Sequence, residues 1–316
     1  MAHSVGIFSP SFSPTHAEAE MIRSFVRATG YAPRDVGVVS NDVGGQTHAQ
    51  SGEESATAFV DALSDPDVPL IWATRGGFGT SRLLPHLAAR EDAVRASPPT
   101  IFAGYSDATA LFAYLARFPN VICLHAQTLK ELSGAGRVVE GADLCVDVMR
   151  SVMQGDAVLS TCVDGWVPLN DAAKKKAFAP TPVFGGNMTL AHSSLGTPYE
   201  IAPAPGWLLC EDVDEELYAV HRMWLHIFYS RTFSNVRGVL FGDFNARSDA
   251  SAAGVSQNDV LSFLTERAKE ISVPAFYGKN IGHGKRNVPC LLHCDAIMQR
   301  KGEGGYALSV EVRNAS

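Results

Sequence analysis

The chain has no C-x-x-C pair, no basic stripe, and no apolar run near the roughly 18 residues that cross a bilayer. Its 316 residues carry 26 Lys+Arg against 33 Asp+Glu, a formal charge of −7, and no block of like charge exceeds Lys174-Lys175-Lys176. An acidic chain of this kind lacks the electrostatic footprint for nucleic acid or an anionic membrane, so neither is expected as a partner. The N-terminal stretch from Met1 to Phe8 has no basic segment followed by a long apolar one. No signal peptide is therefore expected, and the reading is a soluble, cytoplasmic protein. The six cysteines are scattered; Cys290 and Cys294, flanking His293, come nearest to a metal-ligand spacing. Without a second cluster they are read as core residues, and neither a metal nor an organic cofactor is expected.

What is present is 46% hydrophobic content, enough for sizeable cores, at a length that suits two domains. The first half alternates short apolar runs (5–8, 36–39, 70–74, 101–105, 121–124) with amphipathic stretches (16–29, 53–63, 80–89, 107–118, 140–153). That alternation predicts a mostly parallel α/β sheet. The segment 157–182 reads as irregular and inter-domain, with Gly165-Trp166, the Lys triplet and two prolines near its end. Beyond it, strands are predicted at 207–210, 238–242, 274–277, 288–292, 296–299 and 306–312, and helices at 215–232 and 259–271. A small mixed α/β or barrel-like domain follows. The expected division is 1–155, an inter-domain segment 156–182, and a β-rich domain 183–316.

The most informative stretch is Ile101-Phe-Ala-Gly-Tyr-Ser106-Asp107-Ala-Thr-Ala-Leu111. An apolar strand runs into a helix with Leu111, Leu115 and Phe118 on one face, which leaves Ser106 on a sharp turn relieved by Gly104. Two readings fit: a helix cap, and a nucleophile elbow that lifts one hydroxyl out of the sheet. Ala108 stands where G-x-S-x-G would have its second glycine.

Three further segments bear on the choice. Leu70-Ile-Trp-Ala-Thr-Arg75-Gly76-Gly77-Phe78-Gly79 is a strand and a Gly-rich turn that is neither a P-loop nor G-x-G-x-x-G. It reads as a tight turn, or as a source of amides that form an oxyanion hole with the Asp107 N–H. Leu208-Leu-Cys-Glu211-Asp212 ends a strand on Glu211, ahead of the helix-opening Asp214 and Glu215. Gly282-His283-Gly284 brackets a histidine with two glycines, poor core material, and makes it the choice of general base among ten histidines. Ser106, Glu211 and His283 would then be nucleophile, orienting carboxylate and base.

Taken in order, Arg75-Gly-Gly-Phe-Gly79 with Arg82-Leu-Leu, Gly104-Tyr-Ser-Asp107, Gly185-Gly-Asn187-Met-Thr-Leu190 with Gly196-Thr-Pro198, Leu209-Cys-Glu211-Asp212, and Gly282-His283-Gly284 form one pattern. This pattern resembles the LD-carboxypeptidase family of serine peptidases, which also includes microcin C self-immunity proteins. The resemblance implies a flavodoxin-like N-terminal domain, a smaller β-rich C-terminal domain and a homodimer. It implies a triad of Ser106, Glu211 and His283, with the Gly77 and Asp107 amides as oxyanion donors. The implied activity is release of terminal D-alanine from muropeptide tetrapeptides in peptidoglycan recycling. A peptidyl-nucleotide substrate, as in microcin C immunity, and a non-catalytic ligand-binding protein are the alternatives. Candidate substrate contacts are Arg75 or Arg286 as a carboxylate clamp, with a surface charge as the other reading of either, Gly76, Asn187, and Trp166 as a ring that stacks on a nucleobase or else as a packing anchor. The chain departs from the family at His125-Ala126-Gln127, where His-Gly-Pro is common.

Overall fold

Five strands of the first half, β1 (Ser4–Phe8), β2 (Ala32–Val36), β3 (Leu70–Ala73), β4 (Thr100–Gly104) and β5 (Val121–His125), pair in parallel. The computed structural model describes residues 3–42, 48, 50–202, 204–245, 257–302 and 305–313. The second half adds β6 (Val158–Pro168), β7 (Thr181–Asn187), β8 (Gly206–Glu211), β9 (Val236–Asp243), β10 (Ala275–Gly282), β11 (Cys290–Leu292), β12 (Asp295–Lys301) and β13 (Gly305–Arg313).

The first sheet has the order β11-β5-β4-β3-β1-β2. Without β11 this is the flavodoxin-like order 2-1-3-4-5, whose ligands bind beyond the carboxyl ends of the strands where the order reverses. Every residue of β3 and β4 is buried, as expected of central strands covered on both faces by helices. The second strand lies at 32–36 rather than the predicted 36–39. It is an edge strand, and its exposed Ala32, Arg34 and Asp35 gave no apolar signal.

The remaining strands close a barrel in the order β10-β6-β13-β12-β7-β8-β9. Its β7, β8, β9 and β10 are parallel, whereas β6, β12 and β13 run antiparallel. Two expectations are corrected here. The segment 156–182 is irregular only in its second part: β6 takes up eleven of its residues with alternating burial and pairs with β13 from Val158 to Trp166, whereas 169–180 holds one short turn of helix, Asp171–Ala173, and otherwise loop. Likewise β11, expected among the strands of the C-terminal domain, joins the first sheet antiparallel to β5, with Cys290 opposite His125. A three-residue strand carries too little periodicity to reveal which sheet it will join.

Among the described residues no helix is long and apolar enough to cross a membrane. Nor do any three or more His, Cys, Asp or Glu side chains there converge as a metal site. Burial pushes the Cys290 thiol up to about 12 and drives the His293 imidazole down to about 3.

Candidate active site

Ser106 directly follows Tyr105 at the carboxyl end of β4 and adopts φ 60. A non-glycine residue in this left-handed region costs about 1–3 kcal/mol and persists only where its surroundings impose it. Gly104 makes the turn possible, because a Cβ there would lie 2.9 Å from the Ala73 Cβ. A Cβ on Gly76 would lie 3.0 Å from the Ser106 hydroxyl oxygen, so the Gly-rich turn after β3 lies directly against the serine.

The Asp107 side chain is what ties these segments together. Its Oδ2 accepts from the Ser11 hydroxyl (2.6 Å), the Thr80 N–H (2.8 Å) and the Thr80 hydroxyl (2.6 Å). Thus the loops after β1 and β3 and the turn after β4 share one buried carboxylate. Asp107→Ala leaves the Thr80 N–H and one of the two hydroxyls without an acceptor, since the Ser11 and Thr80 hydroxyls, 2.9 Å apart, can still pair, and is expected to cost about 2–3 kcal/mol of stability, read as a shift in the denaturant midpoint.

Ser106 lines a cleft of about 270 Å³ together with Phe12, Arg75, Gly76, Gly77, Tyr105 and Arg137, among others. These residues come from the ends of β1, β3 and β4 and from beyond β5, the position that the strand order predicts for a ligand. A larger cavity of about 420 Å³ lies between the helix Ala142–Gln154 and β6. None of the candidate site residues lines it.

Glu211 ends β8, fully buried, and His283 directly follows β10. His283 Nδ1 and Glu211 Oε2 are 2.5 Å apart. On the other side His125 Nε2 lies 3.6 Å from Glu211 Oε1. Glycines provide the room, since a Cβ on Gly242 or Gly282 would come within 2.9 or 2.8 Å of the Glu211 Cβ. Burial pushes the Glu211 carboxyl up, but the His283 charge and the neighbouring His125 outweigh it and hold it down at about 2. For His283 burial acts downward, and the adjacent Glu211 carboxylate reverses it, so the imidazole titrates above its ordinary value. The Tyr105 ring lies 4.7 Å from the His283 ring, which brings the imidazole alongside the Tyr105–Ser106 turn.

Three expected substrate contacts are corrected. Trp166 is fully buried, and its ring would meet a Cβ on Gly278 at 2.8 Å; it fills the barrel and offers no stacking face to the cleft. Asn187 uses both ends of its amide internally, donating to Asp212 Oδ1 (2.8 Å) and accepting from the Leu190 N–H (3.1 Å). Arg286 pairs with Glu140 through the backbone alone; its Nε, like that of Arg75, has no hydrogen-bond partner among the described residues, but it lies outside the cleft lining, whereas Arg75, Gly76 and Gly77 belong to it.

Sequence reasoning gave no role to Asp212, which it placed in the family pattern, or to His125, which it noted as a departure from it, and it missed Glu131 and Arg137. Burial next to Glu211 raises Asp212 to about 6. For Glu131 the visible signal is Thr128-x-x-Glu131, a capping box whose Glu131 Oε2 accepts from the Thr128 N–H at 3.0 Å.

A Rickettsia conorii protein named as a carboxypeptidase is 28% identical over 83% of this chain and 78% of its own length. The murein tetrapeptide carboxypeptidase of Pseudomonas aeruginosa is 26% identical over 74% of each chain. The crystal structure of muramoyltetrapeptide carboxypeptidase from Oxalobacter formigenes superposes with a TM-score of 0.75, covering 98% of this chain and 99% of that one. At 23% identity it bears on the fold. Residues 5–126 match the LD-carboxypeptidase N-terminal domain and residues 181–298 its C-terminal domain, so the chain belongs to the LD-carboxypeptidase family.

Proposed function

We propose that this protein is a serine carboxypeptidase that hydrolyses the L,D-amide bond of muropeptide tetrapeptides and releases their terminal D-alanine, a step of peptidoglycan recycling. The observation that carries the reading is the strained Ser106 turn, at φ 60 in a cleft, whose preceding Tyr105 packs 4.7 Å from the ring of His283 in the buried Glu211–His283 pair. Glu211 occupies Nδ1 of the imidazole, which leaves Nε2 to take the Ser106 proton. The Ser106 oxygen attacks the carbonyl carbon, and the oxyanion that forms is held by the Gly77 and Asp107 N–H groups. The imidazolium then gives its proton to the departing D-alanine amine, leaving an acyl-enzyme. Water, deprotonated by His283, hydrolyses that ester.

A substrate ending in a free carboxylate suits a cleft whose lining includes Arg75, Lys130 and Arg137. Lys130 is already paired with Glu18 at 2.6 Å, and Arg137 is bonded to Glu131. Among the described residues the buried Arg75 Nε has no hydrogen-bond partner. Arg75→Ala is therefore expected to raise KM about tenfold or more with kcat nearly unchanged, the signature of lost ground-state binding.

The deciding experiment measures free D-alanine released from L-Ala-γ-D-Glu-diaminopimelate-D-Ala by the purified protein. Release is expected; none from folded protein would exclude the muropeptide reading. One observation favours a peptidyl-nucleotide substrate instead. Phe12 packs against His48 (5.5 Å) and Phe78 (4.8 Å), and Phe78 is 62% exposed, a shelf suited to a planar ring. An aminoacyl-nucleotide amide assayed in parallel separates the two.

A further inference from the structure

Arg137 reaches from the first half of the chain to the loop that carries His283. Its Nη1 donates to the carbonyl oxygens of His283 (2.6 Å) and Gly284 (3.3 Å). Its Nη2 donates to the Tyr105 hydroxyl at 3.1 Å, and its Nε to Glu131 Oε1 at 3.1 Å. The Tyr105 hydroxyl donates to the same Glu131 oxygen at 2.6 Å. Glu131 is itself fixed, because its other oxygen accepts from the Thr128 N–H and hydroxyl at 3.0 and 3.1 Å. One planar guanidinium thus meets acceptors on both sides of the cleft, a fork that lysine cannot reproduce.

The His283 loop needs such an anchor. It is bracketed by glycines, with Gly282 at φ 112, and the Glu211 contact holds only one edge of the imidazole. The plane of the ring is set by what packs on its face, and that is Tyr105, at 4.7 Å with 40° between the rings.

We propose that Arg137 is a positioning residue for His283: it holds the His283–Gly284 backbone and the Tyr105 ring in register, so that the free imidazole nitrogen is aimed at Ser106. The inference rests on His283 being the general base.

The test compares Arg137→Gln, Arg137→Lys and Tyr105→Phe with wild type in D-alanine release. A misaimed base slows the chemical step, so Arg137→Gln is expected to lower kcat about ten- to a hundredfold with KM within about twofold. Arg137→Lys recovers part of that loss at most. Tyr105→Phe, which keeps the ring and removes the hydroxyl, has a smaller effect that is not additive with Arg137→Gln.

The pH profile is a second readout. The charged and titratable groups facing His283 are Glu211 and Asp212 at the end of β8, Asp243 at the end of β9, and Arg137 and Tyr105 from the first half. Removing the Arg137 cation moves the acid limb of kcat/KM to higher pH, whereas a merely structural loss leaves the limb in place. Unchanged kcat and limb, or a raised KM at unchanged kcat, would overturn the inference. His283→Ala keeps the two assignments apart. An active His283→Ala enzyme removes the base assignment itself, whereas an inactive one beside normal Arg137 variants removes only the positioning role.

Discussion

Ser106→Ala is expected to lower kcat/KM for D-alanine release by about 10⁴-fold or more while the protein remains folded. The reason lies in the division of labour at the turn. The conformation at φ 60 is imposed by the surroundings, with Asp107 bonded to Ser11 and Thr80 and with Gly76 against the serine. Alanine enters the same backbone with the same Cβ and loses only the hydroxyl, so stability should change by no more than about 1 kcal/mol. What disappears is the covalent route. On the proposed mechanism the Gly77 and Asp107 amides and the cleft contacts survive, and they support only the residual rate that binding and electrostatics supply. Unfolding midpoints and steady-state rates on the same preparations check both halves of this expectation. A variant that stays folded and keeps about a tenth of the wild-type rate would mean that Ser106 is not the nucleophile.

Much of this arrangement was legible because strand ends announce themselves. Ile101–Tyr105 and Leu208–Glu211 are short apolar runs that stop abruptly at a polar residue, and those residues, Ser106 and Glu211, prove to sit at the ends of β4 and β8. A histidine between two glycines was equally readable, because the local sequence excludes a core role. The sequence failed where long-range pairing decides the outcome. Trp166 leaves two readings open, a stacking ring and a packing anchor, and only the pairing of β6 with β13, which turns the indole into the barrel, decides for the anchor. Asn187 looked like a contact because its neighbours match the family pattern, yet its amide is consumed by Asp212 and the next helix. Arg137 lies in a stretch without periodicity, and its partners His283 and Gly284 are 146 and 147 residues away. No local pattern encodes such a contact.

Glu211→Gln is the second large effect, and its pH dependence distinguishes orientation from charge. An amide keeps the size of the carboxylate, but it can present its NH₂ to Nδ1 and hold the wrong imidazole tautomer, a change worth about 10⁴-fold in kcat in a comparable triad. In the wild type the Glu211 carboxylate raises His283 above its ordinary 6.5, so activity should fall as pH drops through a limb above 6.5. Removing that charge leaves burial in control and drives the imidazole down, so the variant's limb should move to lower pH as its plateau collapses. Stability runs the other way. The depressed Glu211 contributes fully above its ordinary 4.5 and loses this as pH falls towards about 2. The raised His283 contributes fully below 6.5 and loses this as pH rises through its folded value. The wild-type pair therefore stabilises the fold most between about 4.5 and 6.5, below the pH at which the base works. Denaturant midpoints and kcat/KM measured across pH on wild type and variant should show the two optima separated in the first and the stability optimum lost in the second. Coincident optima in the wild type would mean that His283 is not the titrating base.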